Sequence, residues 1–144
     1  MRRAIELLTR LERHALDQRR LELQAATAEL EGRCRQLVQL QQRVAAEHAL
    51  AFELPGGPQP LAAYARLTQA QARTLRAEEA RAGDAVAAAE AGLRRQARRW
   101  KTLDLVGLEL RAREAARVQR TASAAVEEAA QVRAALRLRT RVPA

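Results

Sequence analysis

The chain has 144 residues, 48% of them hydrophobic by type, with a single Trp, Tyr and Phe and a formal net charge of +9. Much of the hydrophobic fraction is alanine, which buries little area, so a thick globular core is excluded. The lone cysteine, Cys34, excludes an internal disulfide and fits a reducing compartment. No run of about 18 apolar residues is long enough to span a membrane, and the start MRRAIELLTRLERH lacks the apolar centre of a secretion signal. A cytoplasmic protein is expected. The charge is uneven: residues 1–93 carry 13 basic and 12 acidic side chains, a surplus of one, whereas residues 94–144 carry 13 and 5, a surplus of eight.

Ala, Leu, Arg, Glu and Gln dominate, the composition of long helices, and β-branched residues never cluster. A first helix is expected over about 3–53. Its seam runs Leu16, Leu23, Leu30, Leu37, Val44 and Ala51 at seven-residue steps, widened by Ala26, Cys34, Leu40 and Leu54. Upstream, Ala4, Leu8, Leu11 and Ala15 continue an apolar stripe in a slightly different phase. Gly32 falls inside the helix at a cost of about 1 kcal/mol relative to Ala.

The stretch ELPGGPQPL, residues 53–61, holds three of the four prolines and two of the six glycines. Pro55 pushes Leu54 out of the α region, Gly56 and Gly57 supply positive φ, and Pro60 suits the first turn of a new helix. A turn is expected over 54–60 and a second helix over about 61–139.

The second helix carries its own seam. Leu61, Ala65, Thr68, Ala72, Leu75, Glu79, Ala82, Val86, Ala89, Leu93, Gln96, Trp100, Leu103, Gly107 and Leu110 alternate steps of four and three. Small residues dominate it, whereas the first helix offers leucines, and large facing small suits close packing. The expected fold is therefore all-α, a single coiled-coil domain over 1–144 made of a long antiparallel two-helix hairpin. Folding about residue 57 sets Leu54 near Leu61 and Leu8 near Gly107.

The helices are unequal. Past Leu110 the seam slips by one residue and resumes as Val118, Ala122, Ala125, Ala129, Val132 and Leu136, with no breaker before Pro143. Roughly 30 residues, about 45 Å at 1.5 Å per residue, overhang with an unsatisfied apolar stripe. Such a stripe marks a partner site. The residues expected to carry it are Arg111, Arg113, Arg117, Val118, Arg120, Val132 and Leu136.

Enzyme chemistry is not expected. His14, Cys34 and His48 are spread along one helix, about 20 Å or more apart, too far to share a metal. No glycine pattern forms a phosphate loop, and the acidic residues alternate with arginines as solvated ion pairs. No cofactor, metal or small-molecule substrate is implied. Arg94, Arg95, Arg98, Arg99, Lys101, Arg111, Arg113, Arg117 and Arg120 suit phosphates, but one Trp and one Tyr give no stacking platform, and basic and acidic residues stay interleaved. A protein partner with acidic surface fits better than nucleic acid. A generic structural coiled-coil module and a basic helical nucleic-acid binder remain the alternatives.

The whole chain resembles the flagellar FliJ family and its injectisome counterparts, small components of type III export machines. The likeness is carried by the length, by LLTRLERHALDQRRLELQAA at residues 7–26, by the midpoint break, and by Arg98-Arg99-Trp100-Lys101-Thr102-Leu103 followed by Glu109-Leu110-Arg111-Ala112-Arg113-Glu114. The resemblance implies a bacterial, non-enzymatic two-helix stalk. It implies binding to the centre of a hexameric export ATPase and contact with the export gate and export chaperones. On that analogy the overhang enters the ATPase ring, and the helix-face residues Gln69, Arg73 and Arg76 meet the gate. Association with the membrane runs only through these partners.

Overall fold

The structure, a computed structural model, describes residues 1–53 and 59–141. Two helices make it up, α1 (Arg2–Glu53) and α2 (Gln59–Thr140), and no strand occurs among the described residues. The fold is all-α, a helical hairpin whose second helix is the longer at 82 residues against 52. Residues 54–58, where most of the expected turn falls, lie outside the described residues. Gln59 and Pro60 already belong to α2, slightly ahead of the expected start, because the fixed φ of proline is compatible with a first helical turn.

Both helices are locally well made. Ion pairs one turn apart support them at Glu29–Arg33, Glu90–Arg94 and Glu109–Arg113, each with the acid on the N-terminal side, the orientation that also suits the helix dipole. Threonine hydroxyls that would otherwise compete with the backbone donate to carbonyls one turn earlier, Thr27 to Leu23 and Thr68 to Tyr64. Gly32 lies within unbroken helix and faces open space. At the far end, Arg137 and Arg139 occupy the last turn of α2, where cations offset the negative dipole end.

The chain divides into two compact units. The larger, Leu11–Arg99, pairs most of α1 with the first half of α2. Arg33 Nη1 bridges to Glu78 Oε2 at 2.7 Å, the Cys34 thiol donates to Glu79 Oε1 at 3.2 Å, and Gln96 Nε2 donates to the Glu12 carbonyl at 3.2 Å and to the Glu12 carboxylate. The Arg19 side chain passes 3.7 Å from where a Cβ on Gly92 would stand. This antiparallel register sets Leu23 level with Ala89, Leu30 with Ala82 and Leu40 with Ala72. Leu16, Leu40, Ala82, Thr68 and Gln96 are buried, and Leu23, Leu30, Leu37, Val44, Leu75, Val86 and Leu93 are half-buried. No large side chain among the described residues is fully buried, as expected of two helices that cover only one stripe of each other.

The smaller unit joins Met1–Arg10 to α2 from Trp100 onward. Ile5 Cγ2 lies 3.7 Å from where a Cβ on Gly107 would stand, and Arg2 reaches Glu114 at 3.5 Å. Ile5 and Thr9 are half-buried, as are Trp100, Leu103, Gly107 and Leu110. The expected contact of Leu8 with Gly107 is therefore replaced by one through Ile5. Of the expected stripe, Ala4, Leu8 and Leu11 are exposed and only Ala15 is half-buried, and in the larger unit Glu12 and Leu16 occupy the seam. The reason is polarity. Two seam positions near the start of α1 are Thr9 and Glu12, and both satisfy their polar groups, Thr9 within its own helix by donating to the Ile5 carbonyl and Glu12 across the pair by accepting from Gln96. Leu8 and Leu11 lie along an edge of the helix that the pairing leaves uncovered.

Replacing Leu40 with Ala should destabilise the hairpin by about 2–5 kcal/mol, because the cavity faces an alanine that cannot fill it. Leu21→Ala, at an exposed position, should change stability by less than about 0.5 kcal/mol. Urea unfolding followed by helical circular dichroism measures both.

Candidate partner-binding site

Arg2 is the first helical residue of α1, and its ion pair with Glu114 marks how far α1 accompanies α2. From Ala115 to Thr140 α2 continues alone, about 39 Å at 1.5 Å per residue. Every residue from 111 to 141 is exposed except Ala129, which is half-covered. The change of seam phase after Leu110 coincides with this loss of a partner helix.

At about 100° per residue, Val118, Ala122, Ala125, Ala129, Val132 and Leu136 fall within an arc of roughly 80°. Val118 is 57% exposed and Leu136 56% exposed, far above what a packed seam tolerates. Arg111 lies in line with this stripe. Arg113, Arg117 and Arg120 do not: they share a second arc, to the side of and behind the apolar one. The seven residues singled out from the sequence thus form an apolar face and a separate basic face. Arg113 is engaged by Glu109, and Arg120 Nε donates to the Ala116 carbonyl at 3.3 Å, so both guanidinium groups lie along their own helix.

Gln69, Arg73 and Arg76 are exposed near the start of α2. Gln69 and Arg76 border a shallow groove between the helices with Leu37, Val44, His48 and Ala72, whereas Arg73 stands outside it. The groove exists because alanines of α2 leave the space beside the leucine side chains of α1 unfilled.

His14 and His48 are exposed, and no group of three or more His, Cys, Asp or Glu among the described residues is placed to hold a metal ion. Cys34 is the single cysteine, and the Glu79 carboxylate that accepts its S–H, together with burial, pushes the thiol above its ordinary range. The Cys34–Glu79 pair was not foreseen from the sequence as a contact, although both positions belong to the expected seams. No helix among the described residues is long and apolar enough to cross a membrane. Comparison with protein families, curated proteins and solved structures finds no match to this chain.

Two measurements follow from this geometry. The overhang is held only by hydrogen bonds within its own helix, so its amides should exchange at least about 100-fold faster than those of the paired segments 16–40 and 68–96. Hydrogen exchange read by mass spectrometry resolves the two regions. Cys34, with its folded-state thiol raised, should alkylate more slowly at pH 8.5 than a free thiol, and Glu79→Gln should speed it several-fold. The sign for stability is that of a raised acid: the stabilisation is complete below the unfolded thiol's range and is lost as pH climbs through the folded one.

Proposed function

We propose that the protein is a non-enzymatic stalk and adaptor of a bacterial type III export apparatus of the flagellar kind. It binds the ring of the hexameric export ATPase and couples that ring to the export gate, with export chaperones as further partners. The observation that carries the reading is the unequal hairpin, in which α2 runs on past Glu114 with a bare apolar face and a bare basic face. The resemblance of the sequence to the FliJ family supports it. So does the charge, since the surplus of eight in residues 94–144 suits an acidic partner surface. On this reading the protein is cytoplasmic and works at the inner face of the membrane, held there by its partners.

The mechanism requires no chemistry from this chain. A helix with one apolar face and one basic face presents a different surface to each subunit of a surrounding ring. Differential contact is what shifts the conformational equilibrium of each subunit, and an equal contact with all would shift none. The apolar stripe adds contact area that differs from subunit to subunit, and the arginines supply steering and orientation. Gln69 and Arg76, exposed at the rim of the groove near the start of α2, are the side chains proposed to contact the gate.

Exchanging Arg113, Arg117 and Arg120 together for Glu should reduce stimulation of the export ATPase at least tenfold. Helix content should hold, because all three side chains are exposed. Phosphate release by the purified ATPase with wild-type and variant chains decides it, and unchanged stimulation defeats the assignment.

A further inference from the structure

The leucines that the seam leaves out gather at one level of the smaller unit. Leu7, 59% exposed, and Leu8 stand on α1, and Leu105, 57% exposed, Val106 and Leu108 stand on α2. By contrast, α2 has no exposed large hydrophobic residue from Thr68 to Asp104 among the described residues. Around Gly107, then, the helix is apolar outside its seam as well as in it, a pattern that normally belongs to a buried helix.

Helical geometry distributes these residues. At about 100° per residue, Leu8 and Val106 lie along one edge of the pair, Leu7 on the back of α1, and Leu105 and Leu108 on the back of α2. The remaining edge is polar: Arg2, Glu6, Asp104 and Arg111 line the same small cleft beside Ile5 and Gly107. Exposed apolar side chains therefore stand on three of four sides. A single flat helix docking from outside buries only one of them.

Charge decides between occupants. The smaller unit holds twelve Arg and Lys against six Asp and Glu, a surplus of six, of which five fall on residues 111–141 and one at the level of the exposed leucines. Its acids are partly neutralised within the chain, Glu6 and Glu114 by Arg2 and Glu109 by Arg113. Arg3, Arg10 and Lys101, exposed beside the leucines, make no ion pair among the described residues. A second copy of the chain brings the same surplus and is repelled, whereas an acidic partner is drawn in.

We propose that Leu7, Leu8, Leu105, Val106 and Leu108 form an apolar collar that is gripped from three sides by an apolar-lined, acid-rimmed opening in a protein partner. This collar, rather than the overhang, supplies most of the affinity. The inference rests on the stalk reading and says where such a partner closes. Its polar edge fixes the rotational setting of the pair inside the opening.

The test uses the full chain and a purified hexameric export ATPase, with affinity read by fluorescence anisotropy. Leu7→Ala with Leu8→Ala, and separately Leu105→Ala with Leu108→Ala, should each weaken binding at least tenfold. Val132→Ala with Leu136→Ala on the overhang should weaken it less than about threefold. Helix content and melting should match wild type in all three, because every altered side chain is exposed. Collar variants that bind like wild type overturn the inference and leave the stalk reading intact. Loss in only one of the two collar pairs overturns the enclosure. A wild-type dimer in light scattering that the collar substitutions dissociate overturns it in favour of a second copy. A wild-type chain that does not bind the ATPase overturns the stalk reading and the collar with it.

Discussion

Leu30 and Ala82 stand at the same level of the seam, and the pairing of a large side chain with a small one recurs at Leu23 with Ala89 and at Leu40 with Ala72. Close approach of two helices requires that one partner be small where the other is large. Alanine does this at the highest helix propensity of any residue, so the same choice that lets α1 approach also strengthens α2. The consequence is a shallow interface. A seam one or two residues wide cannot fully bury a leucine, and the hairpin accordingly has no fully covered large side chain among its described residues.

Polar residues set the alignment that apolar ones leave loose. A ladder of leucines facing alanines can slide by a heptad at modest cost, since one leucine–alanine level resembles the next. Gln96 donating to Glu12, Arg33 bridging Glu78 and the Cys34 thiol donating to Glu79 each hold only in one register. In the smaller unit Arg2 with Glu114 and Ile5 against Gly107 do the same. Register matters here because it decides where α1 stops along α2, and so how much of α2 stays bare.

The two candidate surfaces differ in kind. The overhang is a lone helix whose apolar stripe and arginine face are separated by helical rotation, and its order comes from local hydrogen bonds. The collar sits where two helices already support each other, so a partner there meets a preformed surface and orders little on binding. A steering element that extends beyond a rigid anchor is consistent with both observations.

Much of this was legible in the residues. Helix type followed from composition, the break from ELPGGPQPL, and the seam of α2 from its four-three alternation, because periodicity reports which side of a helix is covered whatever the partner is. The unequal length of the arms and the change of phase after Leu110 were legible for the same reason. The first ten residues were not. There the seam uses Thr9, whose hydroxyl donates within its own helix, followed by Glu12, whose carboxylate meets Gln96 only once the helices are paired, so the apolar pattern favours Leu8 and Leu11 and hides the exposed collar. The division of the overhang into an apolar and a basic face is implicit in the spacing of its residues. Which leucines remain uncovered is not, because burial is a property of two surfaces together, and only the tertiary structure sets them against each other.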